Sequence, residues 1–168
     1  MMTTKKLTIT ALMAALVTVM TMTISIPIGS QGFLNFGDIM IFASALVFGP
    51  QVGMITGGLG SALADLLLGY PVWIPITLVA KGLEGYVVGK LCSNARSMPQ
   101  KLIGIVAGGF CMIFVYFIGG VILTLSNDGL IPAIAAGLSG IPYNVLQVVA
   151  GAIGGNIIAI ILKNRVLI

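Results

Sequence analysis

Apolar residues run through this chain in long blocks, and the few polar positions inside them organise it. Residues 7–26, 38–48, 52–68, 70–92, 102–125 and 142–162 each read as an apolar helix, the second one short. The breaks between them have turn chemistry of their own. Residues 27–37 (PIGSQGFLNFG) mix Pro, Gly, Ser, Gln and Asn with Phe33, Leu34 and Phe36, which predicts an apolar loop. Gly49-Pro50-Gln51 and Ser126-Asn127-Asp128-Gly129 predict turns, and residues 93–101 (SNARSMPQK) form the most polar segment. Residues 130–139 are apolar but short and run into Gly140-Ile141-Pro142, so the expectation there is a partly embedded or interfacial connection.

Small residues recur at helical spacing within the blocks. Ala11 and Ala15 form a small-xxx-small pair, with Ala14 and Thr18 on a neighbouring face. Gly53, Gly57, Ser61, Asp65 and Gly69 recur every fourth residue, as do Gly104, Gly108, Met112, Tyr116 and Gly120. In lipid, such stripes let helices approach closely, because packing rather than hydrophobicity drives association there. Internal packing alone accounts for them equally well.

Composition settles the class. Of 168 residues, 58% are hydrophobic and 7% charged, which a water-soluble domain of this size does not show. The chain reads as an all-α integral membrane protein of six transmembrane helices, residues 1–168 forming a single transmembrane domain. The first block follows Lys5 and Lys6, as in a signal peptide, but it is too long and lacks a small-x-small cleavage site. Lys5, Lys6, Lys90, Arg96, Lys101, Lys163 and Arg165 all fall on one side of a six-span layout, which puts both termini in the cytoplasm. The net charge of +4 therefore reflects span ends and not a nucleic-acid footprint.

Candidate chemistry is sparse. There is no histidine, which excludes histidine triads and histidine-ligated metals. Cys92 and Cys111 form no CxxC and read as apolar fillers. A phosphate-binding P-loop fails at Gly89-Lys90, because Leu91 follows the lysine and Glu84 stands where the first glycine belongs. Gly58-Leu59-Gly60-Ser61 has no base for a serine nucleophile, and Asp38 with Asp65 lacks an aspartyl-protease motif. No enzyme, no cofactor and no metal site is expected.

The exception to apolarity is Lys81 with Glu84, three residues apart and on one face of the block at 70–92. A charge at mid-membrane costs about 2.5 to 3.5 kcal/mol on insertion scales, so such groups turn towards protein or water. A self-neutralising structural pair and a pair lining a polar ligand cavity both satisfy that requirement. Asp65 is expected to face Lys81 across the hairpin between the third and fourth spans. Polar and aromatic residues also gather near the outer span ends: Asn35, Asp38, Trp73, Tyr116, Asn127, Tyr143, Asn144 and Gln147. Trp and Tyr there double as interface anchors, but buried amides need partners. The set suits a small, flat, polar heterocycle.

These features resemble the substrate-binding S components of energy-coupling factor (ECF) transporters, which capture vitamins in bacteria. The resemblance covers nearly the whole chain: the six spans, Ala11-x-x-x-Ala15, and residues 36–89, FGDIMIFASALVFGPQVGMITGGLGSALADLLLGYPVWIPITLVAKGLEGYVVG. That run looks like the riboflavin-transporter S-component subgroup, some members of which are associated with pyridoxine or hydroxymethylpyrimidine. The resemblance implies a multi-pass protein of the bacterial plasma membrane that binds a vitamin from outside. It also implies partners, a membrane scaffold subunit and two cytosolic ATPases, with Ala11 and Ala15 as the docking face. Asn35, Asp38, Trp73, Lys81, Glu84, Tyr116, Tyr143, Asn144 and Gln147 become the substrate-binding candidates. A pyridoxine- or hydroxymethylpyrimidine-like ligand is favoured, with riboflavin or another vitamin as alternatives. The other readings are a solitary carrier coupled to protons through Asp65, Lys81 and Glu84, and a membrane assembly subunit with no tight ligand.

Overall fold

The computed structural model describes residues 3–27, 32–93, 95 and 97–166, apart from the side chains of 126–127 and 165–166. Residues 28–31 of the expected loop, the side chains of Asn127 and Arg165, and Arg96 lie outside the described residues. Six helices follow in order: α1 (Thr4–Thr23), α2 (Gly37–Phe48), α3 (Pro50–Leu68), α4 (Ile74–Cys92), α5 (Met98–Asp128) and α6 (Leu130–Val166). Five segments have the length and apolarity to cross a membrane. The remaining helix, α2, has 12 residues. At about 1.5 Å per residue that is near 18 Å, short of a hydrocarbon layer of roughly 30 Å.

The connections are tighter than the sequence suggests. Strands β1 (Ile26–Pro27) and β2 (Phe33–Leu34) pair antiparallel, Ile26 opposite Leu34, so the expected loop is partly a small hairpin. Gly49 alone separates α2 from α3, with φ of 86°, and Pro50 already stands in the first turn of α3. There a missing N–H removes no hydrogen bond. A short 3-10 turn, Pro71–Trp73, leads into α4.

Residues 130–139 differ from expectation. They are not a separate connection but the start of α6, which runs unbroken through Pro142 for 37 residues. An interior proline gives up one backbone bond and tends to kink a helix. In lipid, the alternative to continuing the helix is a stretch of unsatisfied backbone, so the helix persists across it.

α2 is the hub. It packs against α1, α3, α4 and α6, and Met40, Ile41, Phe42 and Ala45 join Met13, Val17, Val88, Cys92 and Ile105 in the core. Its fit on α6 depends on glycines: a Cβ on Gly151 would lie 2.9 Å from that of Asp38, and one on Gly155 would lie 2.6 Å from that of Phe42. The α3–α4 seam is closer still, since a Cβ on Gly53 would meet the Gly85 carbonyl oxygen at 2.5 Å. The alternating glycine stripe of α3 therefore lets backbone touch backbone. Outward faces carry exposed Leu and Ile, such as Leu59, Leu63, Leu66, Ile153 and Ile157, as a lipid-facing surface requires.

Candidate functional site

The N-terminus of α2 delivers the first charged group. Asn35 sits just before it, and its side-chain oxygen accepts from the Gly37 N–H at 2.9 Å, supplying a bond that the helix start lacks. Asp38 follows in the first turn, where the helix dipole favours a carboxylate, and it is fully buried. From α4, Lys81 projects to it. Lys81 lies seven residues past Ile74, about 10 Å along the axis.

The Lys81 ammonium is the centre of a network. It donates to Asp38 Oδ1 at 2.5 Å and to Gln147 Oε1 on α6 at 3.3 Å, and Glu84 Oε2 stands 3.6 Å away. Gln147 Nε2 in turn donates to Asn144 Oδ1 at 3.3 Å. The ammonium also lies 5.7 Å from the centroid of the Tyr116 ring. Such buried charges persist only when paired and hydrogen-bonded. The expected Lys81–Asp65 pair does not form: within 4.0 Å, the ion-pair partners of Lys81 among the described residues are Asp38 and Glu84. The reason is steric. The peptide carbonyl of Lys81 itself packs against Gly57, so the α3–α4 seam is occupied by backbone and the side chain turns towards α2 and α6.

Beside this network a cavity opens among α1, the β2 strand, α3, α4, α5 and α6. Its walls include Asn35, Trp73, Lys81, Tyr116, Tyr143, Asn144 and Gln147 from the sequence candidates. Asp38 and Glu84 are not in the wall; they sit behind Lys81 and hold it. Trp73 is 6% exposed and packs on Tyr116 with ring centroids 6.1 Å apart, so it faces the interior and not a lipid interface. Tyr116 donates its hydroxyl to Thr77 Oγ1 at 3.2 Å.

Sequence reasoning left several wall residues out of the substrate candidates: Thr21, Phe33, Ser61, Thr77 and Asp65, the last read only as a partner of Lys81 or a proton site. Signals for three of them were present. Ser61 and Asp65 are one turn apart on the small-residue stripe of α3, and Thr77 is one turn before Lys81. Thr21 and Phe33 carry no pattern that marks them. Ala11 and Ala15 lie far from the cavity on the exposed face of α1, while Ala14 and Thr18 turn inward, Thr18 donating to the Gly60 carbonyl at 2.8 Å.

Three comparisons bear on this architecture. The family model described as "ECF-type riboflavin transporter, S component" matches residues 1–164. A Pyrococcus woesei protein called "Uncharacterized protein in gap 3'region" is 42% identical over 159 residues, 89% of this chain and 96% of its own length. The thiamine precursor transporter HmpT of Lactococcus lactis subsp. cremoris is 30% identical, covering 88% of this chain and 81% of its own. Among solved structures, one described as the S component of a bacterial ECF transporter shares the fold, with a TM-score of 0.69 at 23% identity over 97% of this chain and 95% of that one. With the family model matching almost end to end, this chain belongs to the S-component family of ECF-type transporters, a family of membrane transport subunits and not of enzymes.

Proposed function

We propose that this protein captures a small single-ring heterocyclic vitamin or vitamin precursor, of pyridoxine or hydroxymethylpyrimidine type, from outside the cell membrane. The observation that carries this reading is the cavity beside Lys81. About 40 Å³ of it is open to the centre of a water molecule. A space of this size suits a compact single-ring ligand better than a large fused-ring one. Its walls pair aromatic faces, Trp73 and Tyr116, with fixed polar ends, Asn144, Gln147 and Lys81. That mixture is typical of small-molecule sites, where a few polar groups fix orientation. The similarity to HmpT, a thiamine precursor transporter, points the same way.

Six spans with both termini cytoplasmic complete this reading, supported by the one-sided distribution of basic residues. Ligand delivery goes to a membrane scaffold subunit driven by two cytosolic ATPases, with Ala11 and Ala15 on the docking face. The exposure of that face supports the assignment, and the absence of a P-loop in the sequence is consistent with energy supplied by partners. Riboflavin is the second reading, because the family description names it. Its three fused rings would require the cavity walls to move apart.

Binding of the purified protein to pyridoxine, an amino-hydroxymethyl-methylpyrimidine and riboflavin, followed by calorimetry, tests the proposal. Tight binding of a single-ring compound with weak riboflavin binding is expected. Riboflavin as the sole tight ligand would overturn the ligand class. Uptake that persists without ATPase partners but collapses with a protonophore would overturn the delivery route.

A further inference from the structure

The polar groups around the cavity are unequally satisfied. Lys81 is held by Asp38, Gln147 and Glu84, Gln147 by Asn144, and Tyr116 by Thr77. Asp65 is different. It is 4% exposed, it stands in the cavity wall, and its Oδ2 has no hydrogen-bond partner among the described residues. Thr77 is its polar neighbour on α4. Lys81 makes no ion pair with it within 4.0 Å, its ammonium being paired with two other carboxylates. Glu84 also has oxygens without hydrogen bonds, but it lies within ion-pair distance of Lys81 and outside the cavity wall. Two of the three buried carboxylates thus pair with the one ammonium, and the third, Asp65, lines the space where a ligand would sit. A buried polar group without a partner is expensive, so an acceptor left open beside a cavity marks where a donor belongs.

We propose that Asp65 is the specificity-determining residue of the pocket, taking the amidine-type edge of the ligand, an exocyclic amine beside a ring nitrogen. The proposal rests on the single-ring capture reading above and names the chemical class within it. A carboxylate meets such an edge with two parallel hydrogen bonds, as it meets a guanidinium. One proton lies between the ring nitrogen and a carboxylate oxygen, and the amine donates to the other oxygen. The pair is complementary whichever heavy atom carries the shared proton. The corresponding oxo heterocycle replaces the amine by a carbonyl, which places acceptor against acceptor when Asp65 is ionised, whereas the amino ring can take up the shared proton as a cation and keep Asp65 ionised. Asp65 therefore selects amino- over oxo-substituted rings, while Trp73 and Tyr116 provide flat walls and the Asn144–Gln147 pair serves the opposite end.

The test compares two probes on the full-length purified protein: the amino-hydroxymethyl-methylpyrimidine and the counterpart in which a carbonyl replaces the amine. The unmodified protein should bind the amino probe at least about 100-fold more tightly, as sites built around a specific hydrogen bond do. Asp65→Asn should narrow that ratio, because a carboxamide can turn to complement the N–H and C=O edge of the oxo ring as well as the ring-nitrogen and amine edge of the amino ring. A merely structural role for Asp65 would weaken both probes together and leave their ratio unchanged, and that result overturns the proposal. Equal affinities in the unmodified protein overturn it as well, whether or not the variant folds. Tight binding of pyridoxine with no preference between the pyrimidines would sink this inference and spare the capture reading. Binding of neither pyrimidine nor pyridoxine would sink both.

Discussion

Lys81 and Asp38, 43 residues apart in the chain, meet as a buried ion pair at the junction of α4 with the start of α2. Each is 1% exposed or less, and Glu84 adds a second carboxylate at 3.6 Å. Removing the ammonium alone leaves two carboxylates buried without compensation, which costs about 3–5 kcal/mol in comparable sites. Lys81→Met should therefore lower the thermal unfolding midpoint in detergent sharply. Adding Asp38→Asn to that variant should recover much of the loss, whereas adding Asp65→Asn should recover little. Equal recovery by both second changes would mean that the three carboxylates act as one diffuse cluster and not through the pair described.

The identity of that pair shows where sequence pattern stops being informative. Helical spacing is local, so Lys81 with Glu84 on one face, and the small-residue stripes of α3 and α5, were legible without coordinates. The partner of Lys81 was not. Asp38 and Asp65 each end up near it, and the choice depends on how α4 seats on α3, with the Lys81 carbonyl against Gly57 and the side chain bonded towards α2 and α6. The cavity was half legible for the same reason. Amides and aromatics betray themselves by being out of place in apolar blocks, but nothing in the sequence separates Thr21, whose Oγ1 is left without a partner among the described residues, from Thr10, Thr18 and Thr23, which bond within their own helix. Residues 130–139 misled through Pro142, since a proline stop signal holds in water more firmly than in lipid.

The α3–α4 seam predicts a contrast between two glycines. A side chain on Gly53 would collide with the Gly85 carbonyl at 2.5 Å and with Ala45, both rigid. Gly82 has more room, its nearest neighbour in such a test being the Met54 carbonyl at 3.6 Å. Gly53→Leu should destabilise by about 3 kcal/mol or more through forced separation of the helices. Gly82→Ala should be within about 1 kcal/mol of the parent, helped by the better helix propensity of alanine. Unfolding in detergent, followed by circular dichroism, measures both. Similar losses for the two would show that the seam is looser than described.

Trp73 gives the pocket an optical reporter, because it is the only tryptophan in the chain and it lines the cavity against Tyr116. A bound heteroaromatic should quench its emission in a saturable way. Trp73→Phe should keep most of the affinity, and Trp73→Ala should weaken binding by about tenfold, since aromatic pairs contribute roughly 0.5–1.5 kcal/mol beyond area. A titration with tight calorimetric binding but no change in emission would place the ligand away from this wall.

Capture and docking should be separable by mutation, because the residues assigned to each lie on different surfaces. Asn144 receives the Gln147 amide at 3.3 Å on the cavity side of α6, so Asn144→Ala removes one polar group from the wall and loosens another. A lost hydrogen bond of this kind is worth about 1 kcal/mol, and an amide left unpaired adds more, so affinity should fall by about tenfold or more. Co-purification with the scaffold and ATPase subunits should be unaffected. Ala15 is exposed on α1, where a larger apolar residue is compatible with lipid, so Ala15→Leu should change stability by no more than about 0.5 kcal/mol. Its expected effect is on assembly: a leucine holds apart two helices that small residues let approach, and the complex should be recovered in lower yield with ligand binding intact. Full recovery of the complex with Ala15→Leu would show that the partner approaches another face of α1, and loss of ligand binding in the same variant would show that the two surfaces are coupled through Ala14, Val17 and the Thr18–Gly60 contact behind them.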